Sequence, residues 1–204
     1  MVCKNIIPIC LLFLLLTSFV VPNGANNTVA QKWVISESST LSVNGSTNIN
    51  NFACEIPNYD RTDTLTITKR KGAKDITLTG NVSLNVKTFD CHNPMMTSDL
   101  RKTLNVKQYP ALNINFLSLN DFPEMTARPQ VLTGLVDIEL AGTRKRFEVN
   151  YQVSVDAQHI IHLLGTRDVN FSDFNLVPPK KLGGLIKTND KLSVSFHLKI
   201  KAID

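Results

Sequence analysis

The fold is decided by residues 98–116, SDLRKTLNVKQYPALNINF, together with residues 133–149, TGLVDIELAGTRKRFEV. The first stretch predicts a short helix that leads, through Tyr109 and Pro110, into a strand in which apolar and polar residues alternate. The second stretch predicts two strands joined by a tight turn at residues 141–143. Period-two alternation places apolar side chains on one face of a strand and polar side chains on the other. Both stretches therefore predict strands with one buried face.

The same alternation extends over most of the chain from Trp33 onward. It is strongest at residues 76–86, 112–116, 147–155 and 192–200, and further strands are expected at residues 32–37, 41–56, 64–69, 131–140 and 159–169. The phase changes within residues 41–56, so we expect a bulge at Asn50 and Asn51 that bends one continuous strand. Strands do not alternate regularly with helical segments, as they would around a parallel sheet. The sequence therefore predicts an all-β, antiparallel, single-domain fold.

One helical segment interrupts the strands at about residues 94–105. Its apolar residues, which recur at helical spacing, are Met95, Met96, Leu100 and Leu104. We expect Thr97 or Ser98 to cap its first turn. Half-buried antiparallel strands can close into a barrel or stack as a sandwich. A single helix between strands can cover one end of a barrel, so it favours a β-barrel of about eight strands.

The first 30 residues have the layout of a secretory signal peptide. Lys4 precedes an almost wholly apolar segment, residues 6–21, which small residues follow. We expect cleavage after Ala25 or Ala30, with residues 31–204 forming one domain. An uncleaved anchor is the alternative, but a membrane-spanning helix needs about 20 apolar residues. The chain is therefore expected in the periplasm or the extracellular space.

Two of the four cysteines, Cys3 and Cys10, lie in the predicted signal peptide. Cys54 and Cys91 remain, and an even pair in an exported chain predicts a disulfide. The alternative is a metal site that adds His92 and a distant histidine, but a Cys-His dipeptide lacks the spacing of common zinc sites. We therefore expect the disulfide and no metal ion.

The formal net charge of +5 reflects a mild basic excess. Basic residues cluster at 69–71, 144–146 and 180–181, each where a turn is expected. No aromatic residues are interleaved with them to stack on bases, so nucleic-acid binding is not expected. Peripheral contact with an anionic membrane is compatible with these clusters. Residues 144–146 are candidates for contact with an anionic head group.

No motif points to an enzyme. The sequence lacks an HExxH zinc motif, a Gly-x-Ser-x-Gly nucleophile elbow and a dinucleotide-binding fingerprint. The four histidines, which are interpreted as surface residues, are His92, His159, His162 and His197. No pair of carboxylates has a spacing that indicates acid–base catalysis. We expect no catalytic activity and no cofactor.

The inward rows of the predicted barrel are almost entirely apolar, and they leave two interpretations open. An eight-stranded barrel is just wide enough to be filled by its own side chains or to hold one slender ligand. A filled barrel would have a structural or partner-binding role. A hollow one would suit a hydrocarbon chain, because burial gains about 0.8 kcal/mol per CH₂ group and the rows offer no polar groups to a sugar or nucleotide.

Three segments carry a resemblance to a known family: residues 100–116, which end in Tyr-Pro-x-Leu-x-Ile-x-Phe, residues 131–142 with the charged turn after them, and residues 170–176, NFSDFNL. In this order they resemble the YceI-like family of lipocalin-like, polyisoprenoid-binding β-barrel proteins. The resemblance implies an exported, non-catalytic antiparallel barrel whose elongated pocket holds an isoprenoid chain of polyprenyl or quinone type. It also agrees with a disulfide between Cys54 and Cys91, and it is compatible with a homodimer.

Carried over to this chain, the resemblance assigns ligand contact to the inward rows. The expected lining residues are Leu78, Val82, Leu84, Leu112, Ile114, Phe116, Val136, Ile138, Phe147, Val149, Tyr151, Val194, Phe196 and Leu198.

Overall fold

The computed structural model describes residues 28–70, 72 and 76–203, and within them the chain forms eleven strands and one α-helix. The strands are β1 (Thr28–Ile35), β2 (Thr40–Thr47), β3 (Asn51–Ile56), β4 (Thr64–Arg70), β5 (Ile76–Asn85), β6 (Ala111–Leu119), β7 (Gln130–Leu140), β8 (Thr143–Val155), β9 (Ile161–Asn170), β10 (Lys180–Lys181) and β11 (Ile186–Ile203). The helix, α1, spans Pro94–Thr103. The predicted signal peptide lies outside the described residues except for residues 28–30, which begin β1. None of the described helices is long and apolar enough to cross a bilayer.

Eight of the strands close into an antiparallel barrel. Neighbouring strands follow the order β1-β4-β5-β6-β7-β8-β9-β11, and β11 pairs with β1 to complete the ring. The closing pairs run from Lys32 opposite Ile203 to Ile35 opposite Ile200. Alternate side chains along each strand therefore point into the barrel. The predicted all-β antiparallel barrel with one short helix is confirmed.

The predicted bulge at Asn50 and Asn51 is wrong, because the chain reverses there and forms a hairpin. β2 and β3 pair antiparallel, with Leu41 opposite Ile56. The amide of Thr47 donates to the carbonyl oxygen of Asn50 over 2.7 Å, and the Thr47 hydroxyl donates to the Asn50 side chain over 2.6 Å. Short polar side chains of this kind stabilise turns by such local hydrogen bonds. The reversal exchanges the inward and outward positions, which produces the phase change in the sequence.

Strand β11 is long enough to serve both ends of the barrel. It spans 18 residues and pairs with β9 on one side. On its other side, the part from Thr188 to His197 pairs with β2, and the part from Ile200 to Ile203 pairs with β1. We call the end that contains β1 the closed end, and the end that contains the β2–β3 hairpin tip and α1 the mouth.

A disulfide and a backbone bridge complete the wall at the mouth. Among the described strands, β3 pairs only with β2. Beyond it, Glu55 and Asp90 exchange two backbone hydrogen bonds of 2.8 and 2.9 Å. The predicted disulfide joins Cys54 to Cys91 directly beside this bridge. The hairpin is therefore fastened to the segment that leads into α1.

Helix α1 begins earlier than the predicted caps. The side chain of Asn93 accepts hydrogen bonds from two amides of the first turn, over 3.0 and 3.1 Å, and is the N-cap. Pro94 suits the first helical position because its φ is already fixed near the helical value and it has no amide hydrogen to satisfy. Thr97 and Ser98 lie inside the helix, so the predicted cap is wrong. The Thr97 hydroxyl instead accepts a hydrogen bond of 3.0 Å from the amide of Cys91.

The closed end is packed solid with apolar side chains. Each of the following residues is at most 2% exposed: Trp33, Ile35, Leu65, Ile67, Ile76, Leu78, Leu119, Leu132, Val153, Ile161, Leu163 and Ile200. The indole nitrogen of Trp33 donates to the side-chain oxygen of Gln31 over 3.0 Å, so the largest of these side chains has no unsatisfied polar atom. Dense packing of this kind stabilises the barrel and leaves no space for a ligand.

The two stretches that decided the fold contact each other. Ala141 and Gly142 form the two-residue turn between β7 and β8, with φ angles of 49° and 79°. Positive φ at both positions is what a type I′ hairpin turn requires. The ring of Tyr109 lies against this turn, and a Cβ atom at residue 142 would be 2.7 Å from it. Glycine is therefore needed at residue 142 for two separate reasons.

Candidate functional site

A cavity of about 80 Å³ lies in the mouth half of the barrel, between the closed end and α1. Its walls are apolar apart from Asn170. They are formed by inward residues of β2, β3, β6, β7, β9 and β11, by α1 and by the segment that follows β9. The lining residues are Leu41, Val43, Phe52, Cys54, Phe89, Leu100, Leu104, Leu112, Ile114, Ile138, Leu140, Val169, Asn170, Phe171, Phe174, Leu176, Leu192 and Val194.

A smaller void of about 20 Å³ continues the cavity toward the closed end. It shares Leu41 and Ile114 with the cavity, and its wall also includes Ser39 and Tyr59. The Tyr59 hydroxyl donates a hydrogen bond to the carboxylate of Asp63. Burial, and then this hydrogen bond, raise the pKa of Tyr59 well above its ordinary value. The phenol is thus neutral and its proton is engaged, so it offers little to a ligand.

A groove of about 360 Å³ leads from the cavity to the surface at the mouth. It shares Phe52, Cys54, Leu100 and Phe171 with the cavity and is bordered by the hairpin tip, α1 and the loop between β10 and β11. The groove, the cavity and the void share wall residues and follow one another from the mouth toward the closed end, and we call this series of spaces the apolar path. No charged side chain lines its two inner parts.

The structure separates the predicted lining residues into two groups. Those on the walls of the cavity or the void are Val82, Leu84, Leu112, Ile114, Phe116, Ile138, Val194, Phe196 and Leu198. The others are at most 5% exposed and belong to the packed core rather than to the walls of these spaces: Leu78, Val136, Phe147, Val149 and Tyr151. Alternation shows which face of a strand is buried, but not how far along the barrel a residue lies. For the residues on the walls, contact with a ligand stays a prediction.

Several wall residues were not among the predicted ones. They come from the hairpin, from α1 and its C-cap Leu104, and from the segment after β9: Val43, Phe52, Leu100, Leu104, Phe171, Phe174 and Leu176. Interpreting residues 41–56 as one strand hid the inward positions of the hairpin. The helical spacing of Leu100 and Leu104, together with the expected position of the helix over one end, was a signal that could have identified the helix residues.

Phe196 lies between the void and the packed closed end. Its ring lies over Gly165, the residue directly opposite on β9, and a Cβ atom at residue 165 would be 2.1 Å from the ring. The ring also makes an edge contact with Tyr151, with 6.0 Å between centroids. The Tyr151 hydroxyl is buried without a hydrogen-bond partner among the described residues, and burial raises its pKa. Phe196 therefore forms the floor of the void, and Tyr151 supports its ring from within the packed core.

The basic turn at residues 144–146 is balanced by carboxylates. The ion pairs are Arg144–Glu139 at 2.9 Å, Lys145–Asp173, and Arg146–Asp137 at 2.8 Å. Hydrogen bonding from Arg146 holds the pKa of the Asp137 carboxyl below its usual range. The turn is consequently not the uncompensated positive site that its sequence suggested for a head group.

Two of the histidines form a chain of contacts on the outer face of the barrel. Nδ1 of His162 lies 2.8 Å from Nε2 of His197, and Nε2 of His162 lies 3.0 Å from an oxygen of Asp156. His159 lies in a turn with a φ of 61°, so the strand predicted from residue 159 begins instead at Ile161. No three His, Cys, Asp or Glu side chains within the described residues are grouped as they would be around a metal ion.

We expect the free energy of unfolding to fall as the pH is lowered from about 7.5 to about 5.5, in part because of His197. Desolvation, and then the positive charges of His162 and Lys199, lower the pKa of His197. The unfolded chain therefore binds more protons in this range, so stability present above pH 6.5 is lost as the pH falls through the folded-state pKa. Urea unfolding of the wild type and of His197→Gln at several pH values measures the effect. His197→Gln should lose less stability over this pH range than the wild type, and the control His159→Gln should lose as much as the wild type. Equal losses in the wild type and both variants would show that His197 does not contribute to the pH dependence.

The barrel is similar to solved structures of other proteins. A polyisoprenoid-binding domain from Saccharophagus degradans, implicated in plant cell wall breakdown, matches 84% of this chain and 98% of its own, with a TM-score of 0.61 and 12% identity. BcnA of Burkholderia cenocepacia matches 79% of this chain and 95% of its own, with a TM-score of 0.55 and 13% identity. A YceI protein of Campylobacter jejuni matches 59% of this chain and 70% of its own, with a TM-score of 0.45 and 12% identity. No protein-family model and no curated protein matches the sequence.

The first two likenesses cover nearly the whole of each relative, so the barrel is shared as a complete unit. At identities of 12% and 13% they establish the fold, and any ligand of this chain must be argued from its own residues.

Proposed function

We propose that this chain, which has the fold of the YceI-like polyisoprenoid-binding barrels, binds an isoprenoid chain of polyprenyl or quinone type without changing it chemically. The observation that carries the proposal is the apolar path, whose outer groove is open at the mouth and whose innermost void lies against the packed closed end. A path of this shape admits one end of a long, slender molecule and leaves the other end near the surface. The S. degradans domain is named for polyisoprenoid binding, and it supports the choice of ligand.

The chemistry of the walls favours a hydrocarbon over a polar ligand. The two inner spaces are lined almost entirely by aliphatic and aromatic side chains, and the Tyr59 hydroxyl at their end already donates to Asp63. Each CH₂ group that moves from water into such surroundings contributes about 0.8 kcal/mol. A sugar or nucleotide would instead lose its hydrogen bonds to water without replacement.

A second candidate function is that of a filled barrel that binds a partner protein and no small molecule. The volumes of the inner spaces favour it, because about 80 Å³ and about 20 Å³ are small beside the roughly 300–1,000 Å³ of common ligand pockets. The two functions differ in what occupies the cavity, so a variant that fills it distinguishes them.

Val194→Phe is expected to abolish isoprenoid binding, because Val194 lines the cavity and a phenyl ring there would occupy the space that the chain needs. The matched control is Ser193→Phe, which places the same ring one residue away on the outer, exposed face of β11. Overpacking of a core costs about 1–3 kcal/mol, so thermal unfolding is measured alongside to verify that each variant is folded. Native mass spectrometry after incubation with a polyprenol or a quinone gives the stoichiometry.

The wild type and Ser193→Phe should each bind one lipid molecule, and Val194→Phe should bind none. Equal binding by all three would place the lipid outside the cavity. Failure of the wild type to bind any of the lipids offered would favour the filled-barrel function.

We also propose that the chain is exported and acts in the periplasm or the extracellular space. Disulfides such as Cys54–Cys91 persist in oxidising compartments, and residues 1–30 have the layout of a signal peptide. Removal after Ala25 leaves β1 complete, whereas removal after Ala30 deletes three residues of β1 that pair with β4. We therefore favour cleavage after Ala25, which the intact mass of the exported chain tests.

A further inference from the structure

Four large apolar side chains project into solvent around the mouth. Ile49 and Met95 are each 66% exposed, Leu182 is 71% exposed and Leu185 is 75% exposed. Ile49, Met95 and Leu182 border the groove of the apolar path. We call these four residues the mouth patch. They come from three segments: the β2–β3 hairpin tip, the first turn of α1 and the loop between β10 and β11.

Hydrogen bonds hold two of these segments together. Asn48, at the hairpin tip, donates its side-chain amide to the carbonyl oxygen of Leu185 over 2.9 Å. The Asn48 side-chain oxygen accepts from the amide of Lys187 over 2.9 Å, and the Asn48 amide donates to the Lys187 carbonyl oxygen over 3.1 Å. The segments that carry Ile49 and Leu185 are therefore held together at the mouth.

The loop between β10 and β11 has an unusual backbone at the exposed Leu182. Leu182, Gly183 and Gly184 have φ angles of 50°, 66° and 96°, all in the left-handed region. Leucine seldom adopts this conformation, which is associated with functional positions. An apolar side chain that borders the groove and is largely exposed therefore stands on a strained backbone.

Positive charge accompanies the mouth patch. Lys180 and Lys187 lie directly opposite each other on β10 and β11, and both are exposed. Like charges at opposite positions of a sheet repel each other, so this arrangement does not serve stability. Neither lysine has a carboxylate within ion-pair distance among the described residues.

The acidic groups near the mouth are mostly engaged. Asp99 pairs with Lys181, and Asp168 pairs with Lys191 at 2.8 Å. Asp190 accepts hydrogen bonds from the amide and the hydroxyl of Ser172. Because Asp99 and Asp168 pair with other lysines, Lys180 and Lys187 are left without an ion-pair partner among the described residues.

We propose that the mouth docks on the surface of an anionic phospholipid bilayer, with the mouth patch inserted among the lipids and Lys180 and Lys187 contacting the head-group phosphates. Exposed apolar side chains beside lysines bind membrane interfaces through buried apolar area combined with attraction to anionic lipid. In this orientation the groove opens directly onto the bilayer. The docking goes beyond the proposed function, because it requires no isoprenoid in the barrel.

A bilayer suits the mouth patch better than a protein partner does. The four side chains project separately from loops and a helix end, whereas stable protein interfaces are broad and bury about 800 Å² on each partner. Side chains at the tips of loops can enter a lipid interface one by one. Lys180 and Lys187, which form no ion pair among the described residues, match a surface that carries negative charge over its whole area.

Co-sedimentation of the mature chain with vesicles tests the proposal. The vesicles contain phosphatidylcholine, with or without phosphatidylglycerol, and no isoprenoid, so the result is independent of ligand binding in the cavity. We expect the wild type to bind the phosphatidylglycerol vesicles, and this binding should weaken as salt is added.

Lys180→Ala with Lys187→Ala should weaken vesicle binding about 25-fold, since each lysine near an anionic surface contributes about fivefold. Leu182→Ser with Leu185→Ser should weaken it at least as much, because the inserted apolar area is lost.

Matched controls come from the closed end. Val29→Ser with Val131→Ser removes two apolar side chains that are 60% and 69% exposed, and Lys69→Ala with Lys201→Ala removes two exposed lysines. Both control pairs should bind like the wild type. Absence of wild-type binding to phosphatidylglycerol vesicles, or equal loss in the control pairs, would overturn the proposal. The proposal would also be overturned if sedimentation velocity showed a dimer of the wild type that Leu182→Ser with Leu185→Ser abolishes, because the mouth patch would then join two copies of the chain.

Discussion

Replacing Cys54 and Cys91 together by serine is expected to lower the free energy of unfolding by about 4 kcal/mol, the chain-entropy value for a loop of the 37-residue separation observed. For a domain of this size the loss corresponds to a fall in melting temperature of roughly 8–16 °C. The physical reason is local as well as entropic. On the side away from β2, the disulfide and the two Glu55–Asp90 hydrogen bonds attach β3 to the segment before α1, so loss of the disulfide leaves only the two hydrogen bonds there.

The measurement is thermal unfolding with and without a reductant. The wild type should melt at a lower temperature when reduced, and the double serine variant should melt at that same lower temperature under both conditions. The variant is its own control, because a reductant has no disulfide to act on there. An unchanged melting temperature on reduction would show that hydrogen bonding and packing alone hold the mouth wall closed.

Trp33→Ala is expected to lower the free energy of unfolding by about 3–5 kcal/mol, the usual cost of truncating a large buried aromatic side chain. Trp33 is fully buried at the closed end, opposite Leu65 of β4 and Ala202 of β11. Its removal creates a hole at the place where the first and last strands join. Because the apolar path does not reach Trp33, folded molecules of the variant should bind isoprenoid as the wild type does.

Urea unfolding of Trp33→Ala measures the loss of stability, and native mass spectrometry of the folded fraction measures lipid stoichiometry. Lys32→Ala, the exposed neighbour on the same strand, should change the free energy of unfolding by no more than about 0.5 kcal/mol. Loss of lipid binding by folded Trp33→Ala would mean that the closed end is part of the ligand site, contrary to its dense packing.

The elements with regular alternation could be predicted from the sequence because a single physical cause, burial of one face, determines them. Residues 147–155 and 192–200 are examples, and both lie within strands of the barrel. The hairpin at Asn48 could not be separated from a bulge in this way, since both change the phase of alternation. The Asn93-Pro94 dipeptide is itself an N-cap signal, whereas Thr97 and Ser98 have suitable side chains for a cap but lie one turn later, inside the helix.

The sequence predicts which face of each strand points into the barrel, but not where along the barrel the cavity lies or how large it is. Val194 and Tyr151 are both inward residues of strands, yet one borders the cavity and the other lies in the packed core. The difference depends on which side chains meet them across the barrel, and those partners come from strands distant in sequence. The wall provided by Leu100 and Phe171 depends on how a helix and a loop dock, which strand periodicity does not describe.

The pairing of β1 with β11 has a consequence for the order in which the protein folds. Within the described residues these are the first and last strands, so the ring cannot close until residues 200–203 are available. Contacts between residues so far apart in sequence form late, because a long loop must first be brought together. The β2–β3 hairpin needs only neighbouring residues and can form early. A chain that emerges with its N-terminus first can therefore form this hairpin early, but it can close the barrel only after residues 200–203 have emerged.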